Sequence, residues 1–194
     1  MINNSKITTK QTTSQVAGLL PGDSNIEFFG VKETKQVLWM QNGHVLPWQY
    51  LPKWAYRICQ TKYLSDNAAM AQLSALNENE ERNVELYIYH MYGDLDTTAD
   101  ILNGKLTPSE NFRHSQNDPS LNWDHKWLTI EDTILTPRDI KIIDLILNND
   151  LDKVIASELG ISQSTFDFHK KNLCEKINVP NKYGLIIKAL NNNL

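Results

Sequence analysis

Residues 160–177 read GISQSTFDFHKKNLCEKI, and they decide the fold of the C-terminal third of the chain. Gly160 permits a sharp turn, because a residue without a Cβ adopts left-handed backbone conformations at little cost. Ser162 is a typical N-cap residue, since its side chain can accept a hydrogen bond from the first turn of a helix. The stretch therefore predicts a turn and a helix that runs to about Ile177. Asp167 and Phe168 place an acidic and an aromatic side chain in the first turns of this helix.

Helical signals lie on both sides of this stretch. Residues 138–147 (RDIKIIDLIL) place apolar side chains on one helical face, behind a capping Thr136 and a proline that suits the first turn. Residues 152–160 (DKVIASELG) predict a short second helix, and residues 182–190 (KYGLIIKAL) predict a fourth. Asn149 could end the first helix in a left-handed conformation, and Asp150 could cap the second. The second and third helices then form a helix-turn-helix.

Helical geometry divides the third helix into two faces. Because each residue turns about 100°, a core-facing Phe166 also turns Leu173 and Ile177 toward the core. His169 lies on the flank of this face, where a packed scaffold role is favoured over proton transfer. The outward face and its two edges carry polar, charged and aromatic side chains: Ser164, Phe168, Lys171 and Glu175, with Asn172 and Asp167 at the edges.

Several ordered features resemble the LuxR-type (GerE-type) helix-turn-helix. They are LTPR at 135–138, IA before LGIS at 155–162, ST at 164–165 with His169 four residues after Thr165, and KINVPNKYGLI at 176–186. The resemblance covers roughly residues 133–194, a third of the chain. It implies a four-helix DNA-binding domain of a bacterial transcription regulator, whose third helix enters the major groove. The fourth helix of such domains often serves dimerisation.

The resemblance also implies which side chains contact DNA. Positions 167, 168 and 171 are expected to face base edges, and Asp167 departs from the basic residue that is usual there. Lys171 can donate to guanine or phosphate, Asp167 can accept from cytosine, and Phe168 can pack on a thymine methyl. The remaining candidates are expected to contact phosphate: Ser162, Ser164, Thr165, Lys170, Asn172, Arg138 and Lys153. The expected dimerisation face is formed by Tyr183, Ile186, Ile187 and Leu190.

The acidic and aromatic third helix leaves a second function open. An outward Phe168 could contact protein as readily as DNA. The domain would then be a protein–protein interaction module that uses a repurposed helix-turn-helix fold. Salt distinguishes the two functions, because DNA binding releases counterions and weakens as the salt concentration rises.

Composition limits the function further. The net charge of −4 and the pI near 5.7 argue against a protein that coats nucleic acid through bulk charge. From residue 133 onward the charge is +1, and the rest carries −5, so we predict modest non-specific DNA affinity. The two cysteines are far apart and form no zinc or disulfide pattern, so we predict no metal site and no cofactor. No stretch approaches the roughly 20 apolar residues of a membrane span, so we expect a cytoplasmic protein without a membrane partner.

The N-terminal part predicts a small hairpin and helical domain. Residues 1–25 are rich in Asn, Thr, Gln and Ser and predict a flexible leader. Residues 26–31 (IEFFGV) predict a strand, and Asn42-Gly43 between two apolar runs predicts a hairpin with a type I′ turn. Three helices are predicted, over residues 52–64, 67–76 and 78–93. Residues 101–132 are predicted to be a polar linker, with a short strand at 125–132.

The function of this N-terminal domain is left open by its sequence. It could bind an unknown ligand or protein partner. Five aromatic side chains could line a pocket, although aromatic residues at helical spacing more often belong to the core: Trp39, Trp48, Trp54, Tyr87 and Tyr92.

An enzymatic alternative rests on residues 94–97, Asp-Leu-Asp-Thr. The string resembles the first motif of haloacid-dehalogenase-type phosphatases, in which the first Asp is the nucleophile, the second is the acid/base, and magnesium is bound. That chemistry needs the string at the end of a buried strand. Here a helix is predicted before the string. Such residues are typical of a turn that follows a glycine at the end of a helix. We therefore predict that the protein is not an enzyme.

These observations predict a mostly helical α+β fold with four parts. They are a flexible leader (1–25), a hairpin and helical domain (26–100), a polar linker (101–132) and a helix-turn-helix DNA-binding domain (133–194). A homodimer would suit a pseudo-palindromic DNA site, with half-sites about one helical turn apart.

Overall fold

The computed structural model describes residues 15–148 and 151–194. Most of the predicted leader, and the caps predicted at Asn149 and Asp150, lie outside the described residues. The described chain is a mixed α+β fold dominated by helices, as the sequence predicts. Its strands are β1 (Glu27–Val31), β2 (Gln36–Gln41), β3 (His44–Pro47), β4 (Ile101–Leu102), β5 (Lys105–Leu106), β6 (Thr129–Ile130) and β7 (Thr133–Ile134). Its α-helices are α1 (Lys53–Leu64), α2 (Asn67–Leu76), α3 (Glu80–Met91), α4 (Pro137–Leu147), α5 (Asp152–Glu158), α6 (Gln163–Lys176) and α7 (Lys182–Leu190).

The first three strands form an antiparallel sheet in the order β1-β2-β3. The predicted turn between β2 and β3 is confirmed, since Gln41 pairs with His44 and encloses two residues. Both of these residues have positive φ, 52° at Asn42 and 76° at Gly43, as a type I′ turn requires.

Helix α3 lies at the centre of the N-terminal core. Its predicted apolar stripe is confirmed, because Val84, Tyr87, Ile88 and Met91 are all fully buried. Four of the five aromatic residues considered for a pocket are also buried in this core, namely Trp39, Trp48, Tyr87 and Tyr92. Trp54 differs from the prediction: it is 46% exposed, because α1 turns Ala55, Cys59 and Tyr63 inward instead.

The structure differs from the prediction of a linker at residues 101–132. Ile101, Phe112 and Trp123 belong to the N-terminal core, and Leu128 and Ile130 belong to the C-terminal core. Parts of the segment are buried despite its polar composition, because the fold supplies partners to several of its polar groups. The Lys126 ammonium, for example, donates to the backbone carbonyls of His90, Glu110 and Phe112. The short strand predicted at 125–132 is reduced to β6.

The described end of the predicted leader also packs onto the fold. The backbone N–H of Gly43 donates to the carbonyl of Gly18 at 2.8 Å, and that of Ala17 donates to the carbonyl of Asp96 at 3.3 Å. Residues 15–25 therefore belong to the N-terminal unit.

Helices α4 to α7 enclose a second core, and all four lie where the sequence predicts them. Polar contacts join the two cores. The Arg113 guanidinium donates to both carboxylate oxygens of Asp144 in α4, at 3.0 and 2.9 Å. Asn111 donates to the carbonyl of Asn192 at 2.6 Å, and Asn193 donates to the Asp94 carboxylate at 2.6 Å. In the described residues, no helix is long and apolar enough to cross a membrane.

Candidate nucleic-acid interface

The turn between α5 and α6 fixes the start of the third helix of the C-terminal domain. Gly160 has φ of 65°, and a Cβ added there would meet open space, so the positive φ is what favours glycine. Ser162 caps α6 as predicted, since its hydroxyl accepts from the backbone N–H of Thr165 at 3.1 Å. The hydroxyls of Ser164 and Thr165 lie 2.9 and 2.7 Å from that of Ser162. Three predicted phosphate contacts are thus grouped at one helix N-terminus.

The inward face of α6 agrees with the helical geometry of the sequence. Phe166, Leu173 and Ile177 are 0%, 1% and 3% exposed and belong to the C-terminal core. The opposite face is exposed at all four predicted positions, Ser164, Phe168, Lys171 and Glu175. Asp167 and Asn172 at its edges are exposed as well. Packing therefore fixes which side of the helix is available to a partner.

Lys171 stands on this outward face with little to restrain it. Its ammonium lies 3.7 Å from the Glu175 carboxylate, and both side chains are well exposed, at 75% and 65%. An exposed pair of this kind contributes at most about 1 kcal/mol. Lys171 can therefore exchange Glu175 for a phosphate or a base edge at small cost.

Lys170 has a different environment, although it was predicted to contact phosphate. Its ammonium lies 2.5 Å from the Asp152 carboxylate and 2.8 Å from that of Asp167. Burial alone would lower the pKa of Lys170, but the two carboxylates outweigh burial and raise it. Asp152 also pairs with Lys182 of α7 at 3.1 Å. A phosphate would have to share Lys170 with these carboxylates, and Asp167 is partly neutralised before any ligand arrives.

Arg138 is positioned beside α6 by a contact that the sequence did not suggest. Its guanidinium donates to Nε2 of His169 at 3.1 Å when that nitrogen carries no proton. His169 thus has the scaffold position predicted for it, and it orients a cation as well. Arg138 on α4 and Lys153 on α5 are both exposed.

Helix α7 carries the predicted dimerisation face. Tyr183, Ile187 and Leu190 are 76%, 62% and 59% exposed. Ile186 is half-buried against the C-terminal core, because it lies next to the inward residue Leu185. Three exposed apolar side chains therefore form the stripe, and Ile186 contributes mainly to the domain's own packing.

The aspartate string at 94–97 lies in a loop after α3. A helix and not a buried strand precedes it, so the arrangement that a phosphatase would need is not formed. Asp94 is directed to other partners, since its carboxylate accepts from the backbone N–H of Leu95 and from the Asn193 amide.

Comparison with known proteins agrees with the geometry of α4 to α7. Residues 133–189 match the family described as GerE, bacterial regulatory proteins, luxR family. The transcriptional activator protein CarR of Pectobacterium carotovorum subsp. carotovorum is 28% identical over 125 residues, which span 64% of this chain and 48% of that protein. The transcriptional regulatory protein MctR of Rhizobium johnstonii is 40% identical over 60 residues, 31% of this chain and 28% of that protein.

The chain spans about half the length of the first of these relatives and less than a third of the second. No solved structure matches the chain. The family match and the geometry coincide on the same four helices, which confirms the resemblance seen in the sequence. Residues 133–189 are a helix-turn-helix domain of the LuxR family.

Proposed function

We propose that the protein is a DNA-binding transcription regulator of the bacterial cytoplasm and that α6 enters the major groove. The observation that carries this proposal is the division of α6 into a buried face and an exposed one. A helix fixed in this way after a sharp turn can present its outward side chains to base edges. The LuxR-family match over residues 133–189, and two relatives that are named as transcriptional regulators, support the same function.

The proposed contacts follow from the environment of each side chain. Lys171, Asp167 and Phe168 are the base-contact candidates, and we expect cytosine near Asp167 and thymine near Phe168. The hydroxyls at the start of α6 and the exposed Asn172, Arg138 and Lys153 are phosphate candidates. Lys170 is the weakest of the predicted phosphate contacts, because two carboxylates already hold it.

The division into units is also part of the proposal. Residues 133–194 form the DNA-binding unit, and residues 15–132 form an N-terminal unit. Residues 101–132, whose composition predicted a linker, are a packed part of this N-terminal unit. The N-terminal unit would receive the signal, from a ligand or protein partner that its residues do not identify.

Selection of bound sequences from a random DNA pool tests the proposal directly. We expect an enriched pseudo-palindromic site with half-sites about one helical turn apart. Lys171→Ala should weaken binding to that site by about 1–3 kcal/mol. Lys53→Ala is the matched control, since Lys53 is also exposed but lies on α1 of the N-terminal unit. Equal affinities of the two variants would remove Lys171 from the proposed contacts.

Dimerisation through α7 is a separate part of the proposal. Ile187→Glu places a charge in the exposed apolar stripe and should convert a dimer to a monomer in sedimentation at fixed concentration. Leu76→Glu, which replaces an apolar side chain that is 70% exposed on α2, is the control for the added charge. A dimer that survives Ile187→Glu would show that the interface lies elsewhere.

A protein–protein interaction module is the second candidate. The observation that favours it is Phe168, which is 60% exposed on the outward face beside an internally paired Lys170. If this candidate is correct, no DNA should bind even at low salt. If DNA does bind, the three exposed cations of each protomer (Arg138, Lys153 and Lys171) predict a slope of log K against log salt of about −2.7. The DNA affinity of Phe168→Ala then distinguishes the two roles of the ring. A weaker affinity indicates a contact with DNA, and an unchanged affinity leaves the ring for a protein partner.

A further inference from the structure

Three carboxylates from distant parts of the sequence meet in the N-terminal unit, outside the proposed DNA interface. One oxygen from each of Glu27, Asp96 and Glu110 lies within 4.8 Å of the others. Glu27 belongs to β1, Asp96 to the loop after α3, and Glu110 to the packed segment after β5. The tertiary fold assembles this cluster, because no local motif contains all three residues.

Two oxygens in the cluster are buried without an N–H donor. Glu27 is fully buried, and its Oε1 accepts from the backbone N–H of Asp96 at 2.8 Å, but its Oε2 has no partner in the described chain. Glu110 accepts from the backbone N–H of Asp94 through Oε2, its buried Oε1 has no N–H donor there, and its carboxyl is hydrogen-bonded to that of Asp100 through a shared proton. Buried polar groups are normally paired, so the unpaired Oε2 of the fully buried Glu27 in a carboxylate cluster points to a missing electropositive ligand.

The negative charge is also unbalanced. In residues 15–148 and 151–194, no ion pair within 4.0 Å involves Glu27, Asp96, Glu110 or the adjacent buried Asp100. The buried Lys126 attracts the Glu110 carboxylate electrostatically, but its ammonium donates to backbone carbonyls and not to these carboxylates. Burial, and then the charge of the neighbouring carboxylates, raises the pKa of Glu27 to about 8.

We propose that Glu27, Asp96 and Glu110 bind a hard divalent cation, Ca²⁺ or Mg²⁺. All three ligands are carboxylate oxygens, which these ions prefer, whereas structural zinc favours cysteine and histidine. The unpaired Glu27 Oε2 would supply a ligand atom without breaking an existing hydrogen bond, and Glu110 would release the proton that it shares with Asp100. Opposite ligands around Ca²⁺ are about 4.6–5.2 Å apart, and those around Mg²⁺ about 4.0–4.2 Å. Oxygens that all lie within 4.8 Å of one another are close enough to share one such ion.

The site would fix the loop that carries Asp96. That loop also contacts the C-terminal unit, because the Asp94 carboxylate accepts from Asn193. The cation would therefore stabilise the start of β1, the loop and the C-terminal contact together. This inference is independent of DNA binding, and the failure of either proposal would leave the other unaffected.

Calorimetric titration of the EDTA-treated full chain with CaCl₂, and separately with MgCl₂, tests the site. We expect one equivalent to bind and the Tm to rise, because a ligand that binds only the folded state stabilises it. Comparison of the two salts identifies which ion the site accepts. Absence of saturable binding by both ions up to about 10 mM, beyond the usual range of weak extracellular calcium sites, would overturn the proposal in favour of a proton-bridged carboxyl cluster.

Two variants and a control place the binding at the cluster. Glu27→Gln keeps an oxygen to accept from Asp96 but removes the charge, so the metal-free protein should fold and the cation response should be lost. Asp96→Asn is a second variant at a half-buried position, and it should lose the response as well. Glu33→Gln makes the same change at an exposed site and should bind as the wild type does. Unchanged binding in both cluster variants would also overturn the proposal.

Discussion

The ion pair between Arg113 and Asp144 should make a large contribution to stability, because it is buried between the two cores. The guanidinium and the carboxylate form two hydrogen bonds of 3.0 and 2.9 Å, and their side chains are 9% and 6% exposed. Arg113→Met leaves the Asp144 carboxylate buried without its partner. Breaking a buried pair from one side typically costs 3–5 kcal/mol, and we expect a loss of about that size in the free energy of unfolding.

Two further variants separate the pair from the surrounding packing. Arg113→Met combined with Asp144→Leu removes both charges, and it should recover most of the loss, because apolar residues can replace a buried ion pair at little cost. Lys141→Met breaks the exposed pair with Glu158 on the same helix, whose side chains are 50% and 46% exposed. That control should change stability by less than about 1 kcal/mol.

Urea unfolding followed by two signals measures the effect. All five tryptophans precede residue 133, so their fluorescence follows the N-terminal unit, whereas far-ultraviolet circular dichroism follows both units. We expect the two transitions to coincide in the wild type and to separate in Arg113→Met, because the pair joins α4 to the N-terminal core. A loss below about 1 kcal/mol in Arg113→Met, or a larger loss in the double variant than in the single one, would refute this reasoning.

Three other predictions concern single residues. Ser162→Ala removes the N-cap of α6 and should lower the free energy of unfolding by about 0.5–2 kcal/mol in urea titration, whereas Ser162→Gly should cost only a few tenths. Gly43→Ala places a Cβ at φ of 76° and 3.0 Å from the Leu19 carbonyl oxygen, and it should lower the Tm, with a cost of about 1–2 kcal/mol for the left-handed backbone. In EDTA, stability should fall as the pH rises from about 4.5 to about 8, because Glu27, with a pKa of about 8, and Glu110, with a pKa of about 7, keep protons in the folded state that the unfolded chain has released. Glu27→Gln should reduce the slope of the free energy of unfolding against pH by up to about 1.4 kcal/mol per pH unit. A profile of Tm against pH that is parallel to that of the wild type would contradict the assignment of this pH dependence to Glu27.

The helical period of the sequence was enough to predict the two faces of α6. Phe166, Leu173 and Ile177 are inward, and Phe168 and Lys171 are outward, because a fixed rotation per residue relates them. The hairpin was equally predictable, since Asn42-Gly43 is a local signal whose geometry depends on two residues. Both features are determined by neighbours in the sequence.

Features that depend on tertiary contacts could not be predicted in this way. Lys170 is a surface lysine by its position in α6, and only the packing of α5 brings Asp152 to it. Residues 101–132 have a linker's composition, and only the fold provides partners that allow their polar groups to be buried, as at Lys126. The cluster of Glu27, Asp96 and Glu110 likewise joins three segments that no sequence period relates.

Strand β3 forms one edge of the N-terminal sheet and has a consequence for handling the protein. All four of its residues are exposed, and Val45 and Leu46 are 50% and 37% exposed. An open apolar edge can pair with the same edge of another molecule and start aggregation. Here the strand is short and ends at Pro47, whose nitrogen has no hydrogen to donate, so an intermolecular ladder would gain few hydrogen bonds. Concentrated samples should therefore resist fibre formation at this edge.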